Sequence, residues 1–222
     1  MLTYFGSSTG KKFLMAISGV ALFAFIIGHL LGNLQIFLGP EELNRYSAFL
    51  HNTGELLWGA RIGLLAMVVL HIWTATVLTL ENRAARPIAY ASKEYIRASY
   101  ASRTMHWSGL IVAAYIVYHL MHFTFHSVHP EYSHFMDSQG RHDVYRMVVS
   151  SFQVPAIAIT YIIANLLLGM HLSHGLYSAF QSMGFLKEEV RPCWRTLSNV
   201  IGYGIFIAYA AIPLSVLLGI VK

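Results

Sequence analysis

Charged side chains are missing from five long stretches of the chain, residues 13 to 40, 62 to 80, 104 to 130, 147 to 186 and 196 to 221. An ionic side chain at mid-bilayer costs about 3 kcal/mol, and about 20 apolar residues cross the hydrocarbon. Each stretch therefore predicts a membrane-crossing helix, over roughly 13–38, 57–80, 104–126, 148–178 and 197–220. The first follows Lys11 and Lys12 as a signal peptide would. It is much longer than the roughly 7–15 apolar residues of a signal and lacks a small-residue cleavage site, so it reads as a retained helix. The fourth is too long for one upright span, which predicts a tilt or an interfacial end near Ser178 to Phe185, with Gly184. Pro155 and Pro213 fall inside predicted helices and predict kinks.

Composition agrees with this pattern. Of 222 residues, 56% are hydrophobic and 11% charged, where an average soluble domain carries about 25% charged residues. That excludes a soluble domain, a disordered chain and a nucleic-acid binder, and it leaves one all-α integral membrane domain over 1–222. The net charge of +5 reads as a topology signal. Lys11, Lys12, Arg83, Arg86, Lys93, Arg97, Arg103, Lys187, Arg191 and Arg195 fall on one side, and Arg45, Arg61, Arg141, Arg146 and Lys222 on the other. The richer side is expected in the cytoplasm, with the N-terminus there and the C-terminus in the periplasm of a bacterial inner membrane. The basic loop from Glu81 to Arg103 is a candidate docking surface. Cys193 stands alone, so there is no disulfide framework, no CxxC pair and no CxxCH for covalent haem attachment.

Twelve histidines are unusual in such a chain, because intramembrane polar groups are expensive and mark a pathway or a cofactor. His29, His71, His119, His122 and His171 lie inside predicted spans, with His174 one turn beyond His171. Their depths pair them. His29 lies 17 residues beyond Lys12 and His119 lies 16 beyond Arg103, about 25 Å from the cytoplasmic end at 1.5 Å per residue. His71 and His171 lie ten residues before Glu81 and Gln181, about 15 Å from that end. An up-and-down four-helix bundle then faces His29 with His119 toward the outside and His71 with His171 toward the cytoplasm. Two histidines without Cys, Asp or Glu make a poor zinc or non-haem iron site. They suit a metal that brings its own four equatorial nitrogens, which is haem iron.

The sequence Ser-Gly-x9-His-Leu occurs twice, as Ser18-Gly19 with His29-Leu30 and as Ser108-Gly109 with His119-Leu120. It selects His119 over His122, three residues on, as the partner of His29. Gly19 and Gly109 fall near the level of the inner pair, where a missing side chain lets a porphyrin approach the backbone, or simply lets helices pack. His126, His129, His134 and His142 are expected at or beyond the outer interface, and Trp58, Trp107 and Trp194 in an aromatic belt.

These residues together resemble the five-helix, di-haem cytochrome b membrane anchor of succinate dehydrogenase and menaquinol:fumarate reductase. The resemblance covers essentially the whole chain. It rests on His29 in Phe-Ile-Ile-Gly-His-Leu, His71 in Val-Val-Leu-His, His119 ten residues after Gly109, and His171 in His-Leu-Ser-His-Gly-Leu-Tyr-Ser. It implies two b haems held by the pairs His29–His119 and His71–His171, flavoprotein and iron–sulfur subunits on the cytoplasmic face, and a membrane quinone, expected to be menaquinone. A dimer of the whole complex is compatible with it. The isolated chain is expected to turn over neither succinate nor fumarate. Candidate haem or quinone contacts are Ser102, Arg103 and His106 inside; quinone-pocket candidates outside are Asn33, Gln35, His51 and Glu55, with Glu55 the candidate acceptor of a quinol proton. The alternatives are the cytochrome b anchor of a hydrogenase or formate dehydrogenase, and a transporter with hydrogen-bonded core histidines.

Overall fold

The computed structural model describes residues 5–85 and 100–222. The described residues are mostly helical and contain no strand beyond one isolated β-bridge between Met136 and His142. Its α-helices are α1 (Ser8–Asn33), α2 (Pro40–Asn52), α3 (Glu55–Ala84), α4 (Tyr100–Phe123), α5 (Val144–Phe152), α6 (Pro155–Ser182) and α7 (Arg191–Leu217). Four of the segments, Ser8–Leu38, Glu55–Ala84, Pro155–Ser182 and Glu188–Leu217, are long and apolar enough to cross a membrane. Their exposed side chains, such as Leu31, Ile62, Leu65, Ile163, Val200 and Ile207, are those a hydrocarbon solvent favours. The chain is a multi-pass helical membrane protein. The fifth expected span is α4; its 24 residues reach about 36 Å, but His106, His119 and His122 dilute its apolar character and it is not among those four.

The fourth charge-free stretch divides where a single helix was expected. Proline lacks an N–H and disfavours helical geometry in the residue before it, and Val154 is extended at φ −85°, ψ 111°. Pro155 therefore opens α6 instead of kinking it, and α5 becomes a separate short helix begun by the Asp143 side chain, which accepts from the Arg146 N–H. Pro213 does lie inside α7. The expected interfacial stretch at 178–185 remains helical to Ser182 and then turns at Gly184, whose φ of +82° favours glycine. α2 was not expected. It carries Pro40 in its first turn with Glu41 and Glu42, both favourable at a helix N-terminus.

Around the bundle, α3 packs on α1, α1 on α6 and α6 on α4, while α7 covers α6. Among the described residues, no extensive packing joins α3 to α4. A tight crossing joins α6 to α7 at Gly169 and Gly202, where a Cβ on Gly202 would lie 2.6 Å from the Gly169 carbonyl oxygen. At one end, here the basic end, the buried Lys11 pairs with Glu81 and ties α1 to α3. At the opposite, cap end, α2 and α5 lie across the helices. Buried Asn44 donates to Asp143 at 2.9 Å and accepts from the Tyr145 N–H at 2.9 Å. Arg141 binds Asp137 and Glu41, each at 2.7 Å. Beneath this cap Ile36, Leu43, Val149, Phe152, Tyr161 and Ile212 form the main apolar core.

Candidate cofactor site between the helices

Four histidines from four helices meet as two pairs, each crossing a diagonal of the bundle. His29 of α1 faces His119 of α4 with ring centroids 5.8 Å apart and planes at 83°. His71 of α3 faces His171 of α6 at 6.4 Å and 68°. Ser18 lies level with His71 on α1, and Ser108 level with His171 on α4. The 11-residue steps from these serines to His29 and His119 place the levels about 16 Å apart along the helix axes, against about 10 Å expected from the sequence. The discrepancy has a physical source, since the long Lys11 side chain reaches along the bundle to Glu81, and the paired charges do not mark equal backbone heights.

The repeated Ser-Gly dipeptides touch the basic-end pair directly. Ser18 Oγ lies 3.3 Å from His71 Nδ1, and Ser108 Oγ lies 3.3 Å from His171 Nδ1. His71 Nδ1 is also 3.2 Å from the Met15 carbonyl oxygen. A Cβ on Gly19 would stand 3.2 Å from His71 Cε1, and one on Gly109 3.5 Å from His171 Cε1. The contact each glycine makes room for is thus an imidazole on the neighbouring helix.

The cap-end pair sits among aromatic rings. Phe25 and Tyr209 flank His29, and Tyr115, Phe123 and Tyr161 flank His119. Tyr161 Oη lies 3.5 Å from His119 Nδ1 and 3.0 Å from Nδ1 of His122. His122 is wholly buried, and its other nitrogen lies 3.2 Å from Ser151 Oγ. Both of its ring nitrogens have protein partners. By contrast, no hydrogen bond reaches Nε2 of His29, His71, His119 or His171 among the described residues, and all four rings are only half-buried.

This donor set selects among metals. Two imidazoles on opposite sides of one ion, with bonds of about 2 Å, place their ring centroids about 6 Å apart, as both pairs do. Among the described residues no three His, Cys, Asp or Glu side chains gather where they could hold a metal ion. Two imidazoles with no third protein ligand would suit a metal that brings further ligands of its own. Two shallow surface grooves, of about 290 and 450 Å³, lie against Tyr118, Ala156, Ile157 and Thr160 and against the outward face of α3; neither is lined by a histidine.

His106 is exposed with its ring 5.4 Å from that of Trp107, and Arg103 is exposed at the start of α4. The Ser102 side chain and most of the basic loop, residues 86–99, lie outside the described residues. Glu55 is the exposed first residue of α3 at the cap end, and His51 bonds within α2 to the Ser47 carbonyl. Asn33 donates to the His29 carbonyl oxygen at 2.7 Å, the nearest of the group to a paired histidine. Gln35 lies in the short 3-10 helix Leu34–Leu38. His129 pairs with Glu131 at 3.0 Å, and the ring of His126 lies 5.4 Å from that of His142. Burial, followed by the neighbouring His142, lowers the pKa of His126. Sequence reasoning gave no role to Ser18, Ser108 or Tyr161, although the serines stand in the repeat. Cys193 is free and exposed.

Comparison with protein-family models, with curated proteins and with solved structures finds no match to this chain.

Proposed function

We propose that the chain is a di-haem cytochrome b anchor subunit of the succinate dehydrogenase and fumarate reductase kind. In this reading α4 is the fifth span, and the basic end lies in the cytoplasm with the N-terminus, in accord with the excess of Lys and Arg there. The observation that carries the reading is the pair of diagonal bis-histidine sites, 5.8 and 6.4 Å between centroids, with no hydrogen bond to any of the four Nε2 atoms among the described residues. His29 with His119 would hold one b haem and His71 with His171 the other.

When bound, each haem supplies one-electron exchange. The chain's residues do the rest. His29 with His119, and His71 with His171, would each hold a haem through two imidazoles, a ligand set that would suit electron transfer rather than oxygen chemistry. Lipid-facing Leu and Ile keep water from the helices, and the aromatic rings around His29 and His119 make the cap-end site the more apolar. Electrons pass between a membrane quinone, menaquinone in this reading, and an iron–sulfur subunit docked with its flavoprotein at the basic end. Glu55, exposed at the cap end, is our candidate acceptor for a quinol proton.

A reduced-minus-oxidised visible spectrum of the purified chain tests the cofactor. Two b haems per chain are expected, and a colourless protein from haem-replete cells contradicts the reading. Purifying a tagged chain from its native membrane tests the partners. Flavoprotein and iron–sulfur subunits should accompany it and confer succinate or fumarate turnover with a quinone, whereas hydrogenase or formate dehydrogenase subunits would favour those enzymes instead. The isolated chain should show no such turnover.

A further inference from the structure

The hydroxyls beside the paired histidines fix their protonation by elimination. Ser18 Oγ donates to the Leu14 or Met15 carbonyl, at 2.9 and 3.1 Å, so toward His71 it can only accept. The Met15 carbonyl beside the same ring nitrogen also accepts only. His71 therefore carries its proton on Nδ1 and keeps the lone pair on Nε2. His171 has no such carbonyl, and there the assignment rests on Ser108 Oγ, whose closer partner is the Met105 carbonyl at 3.0 Å, against 3.3 Å to Nδ1; donating to the carbonyl, it accepts from Nδ1–H.

A longer chain reaches His119. Ser151 Oγ donates to the Met147 carbonyl at 2.7 Å and so accepts from Nε2–H of His122. A neutral His122, wholly buried, then offers a lone pair at Nδ1, which takes the Tyr161 O–H at 3.0 Å. With its one proton committed, Tyr161 Oη accepts from Nδ1–H of His119 at 3.5 Å. His119 too is left with its Nε2 lone pair free.

From this geometry we infer that Ser18, Ser108 and Tyr161 are positioning residues that lock His71, His171 and His119 as Nδ1–H tautomers with Nε2 free for a metal. Each Ser-Gly-x9-His-Leu helix thus works at two levels. It supplies a histidine to the cap-end pair and, 11 residues earlier, a hydroxyl that orients a histidine of the other pair. The inference rests on the proposed function only for the identity of the metal. A hydrogen bond from the far ring nitrogen raises ligand basicity and favours the oxidised metal, so its loss raises the potential of the site concerned.

Two measurements on the full-length chain test this. Redox titration and low-temperature electron paramagnetic resonance of the haem-loaded protein should show Ser108→Ala moving only the basic-end haem, to higher potential. Ser18→Ala should move the same haem by less, because the Met15 carbonyl still holds His71. Tyr161→Phe should move only the cap-end haem, and Ser108→Thr, which keeps the hydroxyl, should restore the original values. Unchanged potentials and spectra in all three variants, with both haems present, would overturn the inference. The second measurement needs no haem. Nitrogen-15 chemical shifts of histidine-labelled, haem-free protein should report Nδ1–H tautomers for His71, His119 and His171, with Ser108→Ala relaxing His171 toward the Nε2–H form that a free histidine side chain favours. Nε2–H forms in the wild-type chain would sink the inference whatever the haem content, while a colourless protein with the expected tautomers would sink only the haem reading.

Discussion

At the basic end, His71 and His171 each meet a serine and a glycine from the neighbouring helix, whereas at the cap end His119 leans on a tyrosine and His29 on aromatic rings alone. The pairs share a diagonal geometry and differ in how it is enforced. The basic-end pair is held by two short, identical pieces of sequence, one on each of two helices. The cap-end pair depends on a cage assembled from α1, α4, α6 and α7, and on the buried His122 behind Tyr161. A small polar residue beside a glycine is a compact way to orient a ring where helices pack closely. Beneath the cap, bulky rings surround the pair and the hydrogen bonds run farther.

The largest expected effect removes the difference between the ends. Gly202→Val drives a side chain into a crossing where even a Cβ stands 2.6 Å from the Gly169 carbonyl. It should cost about 3 kcal/mol or more and separate α6 from α7, with both haems lost and the thermal transition lowered. Retention of two haems at an unchanged transition would show that the crossing does not hold the bundle. His71→Ala comes next and separates the ends, because it should leave one haem per chain with the cap-end site intact. Loss of both would mean that the levels do not load independently.

How legible these features are in the sequence follows from how local each one is. Spans and histidine depths rest on single-helix patterns, since charge-free length and residue counts need no knowledge of neighbours. The Ser-Gly repeat is equally visible, yet its role is not, because the imidazole each copy holds comes from another helix. Pro155 predicts a kink from sequence because the apolar run continues through it, while the backbone rule for Val154 decides for a break. Tyr161 and Ser151 carry no signal at all. They become meaningful only when α5 and α6 bring them to His122, and α5 itself emerges only after that break.

A finer comparison uses the two glycines. Gly19→Ala places a Cβ 3.2 Å from His71, tighter than ordinary contact, whereas Gly109→Ala places one 3.5 Å from His171, which is ordinary. Alanine gains about 1 kcal/mol over glycine in helix propensity. Gly109→Ala should therefore be neutral or mildly stabilising with an unchanged spectrum, while Gly19→Ala should perturb the basic-end haem. Equal behaviour of the two in spectrum and melting temperature would deny the difference in clearance.

The smallest effect concerns the cap alone. The Arg141 guanidinium, by hydrogen bonding, holds the Glu41 carboxyl below its ordinary 4.5. A lowered folded-state value contributes stability that is complete above the unfolded pKa and lost as pH falls through the folded one. Amide exchange in residues 137–143 should quicken as pH drops below about 4 once the intrinsic rate is corrected, and Arg141→Ala should flatten that response. A cap whose corrected exchange ignores acid in the native chain would remove the ion pair from the account.

The central claim is that His119, and not the buried His122 one turn away, completes the cap-end pair, and haem counting on the two alanine variants tests it most directly. His122→Ala removes a fully buried, doubly hydrogen-bonded ring and should cost about 2–3 kcal/mol, yet keep two haems per chain. His119→Ala should keep one, with the basic-end haem spectrally unchanged. Two haems in folded His119→Ala together with one in His122→Ala would contradict the account and place the cap-end site on His122.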